Sequence, residues 1–276
     1  MKVVLFGSNG MLGSYIKTYL TDRYELVSYT RKDLDLSVVD EVEIISFLSK
    51  NVSREDVIIN ASGIIKQRRY NSMEMLMVNS MFPQILARFK KQVGCNIIHI
   101  TTDCVFSGKD GDYVETDSHD CLDDYGKTKS LGENEEITNI RTSIIGEEIH
   151  NKLSLLEWVL SMNGKAINGY TNHLWNGVTC LELSKLVNDI IENKLYWSGV
   201  RHVFSPDIVS KCELIRMIRD VYELDIVVNE SSTDKECYRN LSTNFDCMVH
   251  KSLYEQLRET RRFNLKKFEH QRGKRE

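Results

Sequence analysis

The chain has 276 residues, enough for one large domain or two modest ones with a substantial buried core. Its 41% hydrophobic and 28% charged residues and formal net charge of −4 are those of an ordinary globular protein, without the basic excess expected for binding nucleic acid or an anionic membrane. "MKVVLF" lacks a signal-peptide pattern, and no apolar stretch approaches the about 18 residues of a membrane span.

Short apolar runs alternate with helical patterns over the first 146 residues. Strands are predicted at "KVVLF" (2–6), "YELVSYT" (24–30), "DVIINAS" (56–62), "CNIIHITT" (95–102) and "EITNIRTSIIG" (136–146). Helices are predicted between them, at 7–23, 40–50, 72–92 and 124–136. This alternation predicts an α/β fold with a doubly wound parallel sheet of Rossmann type.

After Gly146 the alternation is lost. Helical patterns appear at "LSLLEWVLS" (153–161), "CLELSKLVNDIIE" (180–192) and "KCELIRMIRDVYE" (211–223), with short extended pieces such as "RHVFSP". We expect a nucleotide-binding domain over 1–146 and mainly a smaller α/β substrate domain over 147–276, laid against the carboxyl edge of the sheet. Part of 178–204 is expected to return to the first domain, and 263–276 to form a solvated tail.

A glycine loop, "FGSNGMLG", joins the first strand to the first helix. Gly7, Gly10 and Gly13 would allow a tight turn, close approach of the backbone to a pyrophosphate, and amide donors at a helix N-terminus. The loop therefore predicts dinucleotide binding, with a purely structural turn as the alternative. The other loop residues assigned to the cofactor are Asn9, Met11 and Leu12.

The loop after the second strand, "SYTRKDLDL", should select the cofactor. NAD-selective sites place an acidic residue roughly twenty positions past the glycines to hold the ribose 2′-hydroxyl. Here Arg31 and Lys32 come first, which would suit a 2′-phosphate and favours NADPH over NADH. Asp35 of the same loop is also assigned to the cofactor site. The alternative is that both basic residues are solvated surface charges.

A Thr, a Tyr and a Lys in residues 100–133 suggest proton-transfer chemistry. In a helix over 124–136, Tyr125 and Lys129 lie one turn apart on the same face. The Lys129 ammonium is expected to lower the pKa of the Tyr125 phenol from about 10. Such a tyrosine can deliver a proton to a carbonyl oxygen while a hydride reaches the carbon, and Thr102 at the end of strand four can bond to the same oxygen.

With these motifs in this order, the chain resembles the extended short-chain dehydrogenase/reductases, and within them the dTDP-4-dehydrorhamnose reductase family. The resemblance runs through "VVLFGSNGMLG", "DVIINASG", "VNSMFPQILA", "IIHITTDCVFSG", "DDYGKTKSLGE" and "IRTSIIG", and continues weakly at "YRNLST". It implies NAD(P)H-dependent reduction of the 4-keto group of a nucleotide-diphosphate 4-keto-6-deoxyhexose in deoxysugar biosynthesis. The nucleotide would be dTDP or UDP, and the sequence after residue 166 favours UDP and a 2-acetamido sugar.

The resemblance also implies roles for particular residues. Thr102, Tyr125 and Lys129 would be the catalytic trio, and Thr102, Asp103 and Cys104 would border the substrate. The glycines would line the pyrophosphate, and Asn60, Ala61 and Ser62 would lie along the cofactor. Asn79 would lie beside the cofactor or be a structural residue.

Cys104 departs from the family pattern, which has Tyr after the Thr-Asp pair. In related enzymes that epimerise and reduce keto-sugars, such as GDP-fucose synthase and UDP-rhamnose synthase, a Cys at the corresponding position is the base beside the ketone. A neighbouring cation would bring the pKa of the thiol near neutrality. A bifunctional epimerase and reductase using Cys104 and His173 is therefore one alternative; the other is that Cys104 only packs and His173 only binds substrate or caps a turn.

Two further residues are assigned to the substrate. Trp175 would stack on the base or the sugar, or else belong to the core. Arg239 would pair with the substrate diphosphate, or else be an ordinary surface arginine.

The sequence also allows other functions. A non-catalytic nucleotide-binding regulator is one, because the regulatory subunit of methionine adenosyltransferase resembles this same family. A dehydratase using the same Tyr and Lys is another. Such enzymes usually carry two acidic residues after the Thr of strand four, whereas here Thr102 is followed by Asp103 and Cys104. Seven scattered cysteines without a CxxC pair indicate a reducing cytosol, no metal-ligand cluster is apparent, and a homodimer is left open.

Overall fold

The computed structural model describes residues 1–65, 71–150 and 152–272, with side chains to residue 265, and in this part of the chain six parallel strands form the central sheet. In chain order its strands are β1 (Lys2–Phe6), β2 (Glu25–Tyr29), β3 (Val57–Asn60), β4 (Asn96–Thr102), β5 (Thr138–Thr142) and β10 (Gly199–Val203). Their spatial order is β10-β5-β4-β3-β1-β2. The predicted α/β class and Rossmann-type sheet are confirmed.

Helices cover both faces of this sheet, which explains the continuous apolar runs of its strands. Along β1, Val3 and Leu5 face one core cluster and Val4 and Phe6 face the other, all of them 2% exposed or less. The helices α1 (Met11–Leu20) and α7 (Cys180–Glu192) cover the first face. The helices α2 (Glu41–Asn51) and α4 (Phe82–Val93) cover the second face.

The long helix predicted over 72–92 contains an irregularity. It consists of α3 (Ser72–Leu76), a π-helical turn (Met77–Met81) and α4. Pro83 lies at the start of α4, and a proline cannot bond to the carbonyl four residues earlier, which here belongs to Asn79. A Cβ on Gly132 would lie 2.1 Å from that carbonyl oxygen, so the freed Asn79 backbone packs directly on the last residue of α5 (Asp124–Gly132).

The C-terminal half builds its own core from short elements. They are β6 (Ile144–Ile145), α6 (Leu155–Leu160), β7 (Lys165–Tyr170), β8 (His173–Trp175), β9 (Val178–Thr179), β11 (Val209–Ser210), α8 (Lys211–Tyr222), β12 (Ile226–Ser231), β13 (Cys237–Tyr238) and α9 (Leu253–Arg272). The pairs are β6 with β9, β7 with β12, and β8 with both β11 and β13. The core cluster of this half runs from Ile145 to Leu257.

Two features of the C-terminal half differ from the sequence analysis. Most of its strands were not predicted. The stretch from 263 to 272 is helical and continues α9, and residues 273–276 of the predicted tail lie outside the described residues. The strand β10 joins the large sheet and α7 packs on α1. The division of domains at residue 146 stays a prediction. Among the helices of the described residues, none combines the length and apolar character needed to cross a bilayer.

Candidate active site

The glycine loop packs tightly against the ends of the first and third strands. Gly7 has a φ of +82°, and a Cβ there would lie 2.6 Å from the Ala61 backbone. A Cβ on Gly13 would lie 2.1 Å from the Gly7 carbonyl oxygen, and the Gly10 amide donates to the same oxygen at 2.9 Å. The Ser8 hydroxyl is buried, and no described residue is its hydrogen-bond partner. The loop thus exposes the N-terminus of α1 as a cradle for an anionic group.

Two adjoining cavities open along the carboxyl edge of the sheet. The first, here the strand-end cavity, measures about 440 Å³ and includes residues at the ends of β4 and β5. The second, here the turn-side cavity, measures about 280 Å³ and includes the glycine loop from Gly7 to Gly10 and the loop after β2. Both contact Gly10, Ala61, Ser62 and Gly63, so together they form one groove across the sheet edge. Met11 and Leu12 line the strand-end cavity and Asn9 the turn-side cavity.

The charged loop after β2 contributes to the turn-side cavity. Arg31 and Asp35 both line it and form an ion pair at 3.7 Å. Lys32 is exposed, and its amide donates to the Thr30 hydroxyl. The cation nearest to the groove in this loop is therefore Arg31, which suits a phosphate more than Lys32 does.

Two buried asparagines hold the wall of the groove, residues 60–65. The Asn60 side-chain oxygen accepts from the Ser62 amide at 3.1 Å and from its hydroxyl at 2.8 Å. Asn79 accepts from the Ile64 amide and donates to the Ile64 carbonyl, both at 2.9 Å, and it also donates to the Thr128 hydroxyl at 3.1 Å. Asn79 thus holds the groove wall in place and links it to α5, and the π-helical turn sets the position of Asn79 itself.

Thr102, Tyr125 and Lys129 all line the strand-end cavity. Thr102 ends β4, and its hydroxyl donates to Asp103 at 3.1 Å and is hydrogen-bonded to the Tyr125 hydroxyl. Tyr125 and Lys129 lie one turn apart in α5, which begins at the Asp123 cap. The Lys129 ammonium donates to the Ile100 carbonyl at 2.8 Å and passes close to Gly63. The structure therefore brings the three residues together at the groove.

The predicted effect of Lys129 on Tyr125 is wrong in this structure. Burial raises the pKa of Tyr125 above its usual value, Cys104 and Asp103 add to the rise, and the hydrogen bond with Thr102 offsets only part of it. Burial lowers the pKa of Lys129 to about 8, against the opposing effect of Glu133. Desolvation outweighs the attraction between the two groups, so Tyr125 is a neutral phenol at neutral pH and Lys129 remains mostly protonated.

Cys104 lies beside a cation, but its thiol is not activated. The Arg239 guanidinium donates to the Cys104 sulfur at 3.4 Å. Burial nevertheless raises the pKa of Cys104 to about 12, and the adjacent Asp103 carboxylate adds to the rise. The expectation of a thiol near neutrality is therefore wrong for this arrangement. Burial also raises the pKa of Asp103, while Arg239 opposes that rise.

His173 and Trp175 do not line the cavity that holds Cys104. His173 lines a third cavity of about 460 Å³, here the outer cavity, with residues of α6, β7 and α8. Its Nε2 is 2.8 Å from the Thr233 hydroxyl. Trp175 is 5% exposed and belongs to the C-terminal core. Cys104 and His173 thus line different cavities. Of the two placements predicted for Trp175, the structure shows the one in the core.

One charged residue near the site was absent from the sequence analysis. Lys211 opens α8, lines the outer cavity, and has Asp103, Cys104 and Arg239 among its electrostatic neighbours. The capping box of Ser210 and Glu213 marks the start of this helix in the sequence, but the approach of the helix end to β4 depends on tertiary packing. Within the described residues, no group of His, Cys, Asp and Glu side chains is arranged to hold a metal ion.

Known proteins resemble this chain in sequence and in fold. A family model described as the RmlD substrate binding domain matches residues 1–164. The chain is 34% identical over 149 residues to the dTDP-4-dehydrorhamnose reductase of Aggregatibacter actinomycetemcomitans, which is 52% of this chain and 49% of that protein. It thus spans about half the length of the curated reductases it matches first.

Two other similarities extend over most of the chain. The spore coat polysaccharide biosynthesis protein SpsK of Bacillus subtilis is 22% identical over 266 residues, covering 92% of this chain and 91% of that protein. The crystal structure of dTDP-4-dehydrorhamnose reductase from Bacillus anthracis in complex with NADP has a TM-score of 0.79 at 20% identity and covers 94% of this chain and 98% of that chain. At that identity the structural likeness shows a shared fold.

Proposed function

The chain belongs to the RmlD substrate-binding-domain family, and from this premise we propose that it reduces the 4-keto group of a nucleotide-diphosphate 4-keto-6-deoxyhexose with NADPH. The observation that carries the proposal is the strand-end cavity, where Thr102, Tyr125 and Lys129 meet beside the glycine loop. A binding protein without catalysis would have no need for a half-buried phenol, a hydroxyl and an ammonium along one groove.

The groove fits a dinucleotide. The N-terminus of α1 and the unpartnered Ser8 hydroxyl would meet the pyrophosphate, and the missing Cβ atoms of Gly7 and Gly13 allow the loop its close packing. Arg31 in the turn-side cavity would meet a 2′-phosphate, which supports NADPH over NADH. The Bacillus anthracis structure of the same fold is a complex with NADP.

Each member of the trio has a definable task in the reduction. Bound NADPH would supply the hydride to the carbonyl carbon. Tyr125, kept protonated by burial, donates its proton to the carbonyl oxygen. The Thr102 hydroxyl, already bonded to that of Tyr125, orients the oxygen, and the Lys129 cation stabilises the phenolate that remains. Lys129 also bonds to Ile100, so its ammonium is held in place before the substrate binds.

The proposal is a reductase rather than a combined epimerase and reductase. Cys104 stays a neutral thiol, and His173 lines a different cavity and is bonded to Thr233. The assignment of Cys104 and His173 as an acid and base pair therefore gains no support from the geometry. The nucleotide is dTDP or UDP, and both belong in the assay.

The test is NADPH oxidation with dTDP- and UDP-linked 4-keto-6-deoxyhexoses, followed by absorbance. Tyr125→Phe should lose activity by about 100-fold or more, because it removes the proton donor. It should bind NADPH as the wild type does. Tyr254→Phe, at an exposed tyrosine of α9, is the matched control and should keep full activity.

Two results would contradict the proposal. The first is a wild-type protein that binds NADPH but oxidises none with any of these substrates, which would favour the non-catalytic regulator. The second is a Tyr125→Phe variant that turns over at the wild-type rate.

A further inference from the structure

The ammonium of Lys211 lies at the outer cavity and has no hydrogen-bonded partner within the part of the chain that the structure describes. Lys211 is the first residue of α8 and lines the outer cavity. Among the described residues, its ammonium makes no hydrogen bond or ion pair; it lies over the face of Trp175, with 5.5 Å from Nζ to the ring centroid. Desolvating a cation without a hydrogen-bonded partner costs free energy, and such a group is commonly paired with an anion.

A second unsatisfied donor lies on the other side of the junction. Arg239 lines the strand-end cavity, and its Nε is buried without a hydrogen-bond partner among the residues that the structure describes. Its Nη1 donates to the neutral Cys104 thiol, a weak acceptor. Asp103 faces both cations electrostatically but is committed to the Thr102 hydroxyl. Two positively charged side chains therefore present free donors where the two cavities approach each other.

The cavities on either side of these donors differ in character. The strand-end cavity holds Thr102 and Tyr125, where the keto-sugar would react. The outer cavity is lined mainly by apolar and aromatic side chains, among them Trp158 and Tyr170, which suit the face of a nucleobase. Leu155 borders both cavities, so a ligand with a sugar at one end and a base at the other would cross between them.

We propose that Lys211, together with Arg239, binds the diphosphate of the substrate at the junction of the strand-end and outer cavities. The inference rests on the proposed function, since it assumes a nucleotide-diphosphate sugar. Lys211 also sits at the N-terminus of a 12-residue helix, whose dipole adds to the attraction for an anion. Burial lowers the pKa of Lys211, and a bound anion would oppose that shift.

The test compares nucleoside diphosphates with nucleosides, so that the diphosphate contribution is isolated. Binding of UDP, dTDP, uridine and thymidine to the full chain is measured by isothermal titration calorimetry in the presence of NADP⁺. Lys211→Met should weaken UDP or dTDP binding by about tenfold or more, because a charged hydrogen bond is lost. Affinities for uridine, thymidine and NADP⁺ should stay unchanged. Lys211→Arg should keep most of the affinity, and Lys50→Met on the exposed face of α2 is the matched control.

The outcomes separate this inference from the proposed function. If Lys211→Met and the alternative Lys211→Gln bind UDP and dTDP as the wild type does, the role of Lys211 is refuted while the nucleotide-sugar assignment stands. An equal loss for nucleosides and nucleoside diphosphates would mean that Lys211 only supports the fold of the outer cavity, which also refutes it. If the wild type binds neither UDP nor dTDP, the substrate class itself fails.

Discussion

Replacing Asn79 by alanine should weaken both the fold and cofactor binding. Asn79 is fully buried and satisfies the Ile64 amide and carbonyl, each at 2.9 Å. In Asn79→Ala both backbone groups lose their partner, at about 1–3 kcal/mol each, so the free energy of unfolding should fall by about 2–6 kcal/mol. The Thr128 hydroxyl keeps its bond to the Asp124 carbonyl and adds little to the loss.

The same substitution removes the hydrogen bonds that hold the groove wall at Ile64, and this wall borders both cavities. The affinity for NADP⁺ should therefore fall along with stability, as measured by calorimetry beside urea unfolding. Asn79→Asp keeps an acceptor for the Ile64 amide and should recover part of the stability. Asn193→Ala, which loses one exposed bond to Asp189, should change stability by no more than about 1 kcal/mol. An Asn79→Ala variant as stable as the wild type, with equal NADP⁺ affinity, would refute this account of the wall.

Three further predictions follow from the site and its surroundings. Gly13→Ala should abolish NADP⁺ binding in calorimetry, because its Cβ would lie 2.1 Å from the Gly7 oxygen, whereas Gly10→Ala meets that oxygen at 3.3 Å and should bind at least partly. The kcat/KM for NADPH should fall as pH rises through about 8, because Lys129 then loses its charge, and a flat profile to pH 9 would contradict this. Stability in urea should fall as pH drops below about 6.5, because burial lowers the pKa of histidines in the folded state and the unfolded chain therefore binds more protons. An unchanged urea midpoint at pH 5.5 would contradict this prediction. The buried histidines with a lowered pKa are His99 and His202.

The sequence predicted the central sheet well because its signals are local. The buried strands β1 and β3 are short apolar runs, and Gly7, Gly10 and Gly13 mark the first turn. The C-terminal half was harder, since β7 and β12 form an isolated pair that buries only part of each strand. Their alternation is too short and interrupted to stand out from loop residues.

At the candidate site, too, the features set by local sequence were predicted and those set by tertiary packing were not. Spacing along α5 was enough to place Tyr125 and Lys129 on one face. The direction of the Tyr125 pKa shift was missed because it depends on burial by residues distant in sequence, which spacing does not report. Lys211 and Arg239 come near Cys104 only through the packing of the C-terminal half on the sheet edge, so no local pattern could predict their approach.

Transfer of an isotopic label tests the central claim most directly. The protein is incubated with NADPH carrying deuterium at the transferable position of the nicotinamide and with a 4-keto-6-deoxyhexose nucleotide, and the product is examined by NMR. Deuterium at C4 of the sugar, formed by the wild type and lost in Tyr125→Phe, is the predicted result. A sugar recovered with its ketone intact and NADPH still labelled, from a wild-type protein that binds both ligands, would contradict the assignment.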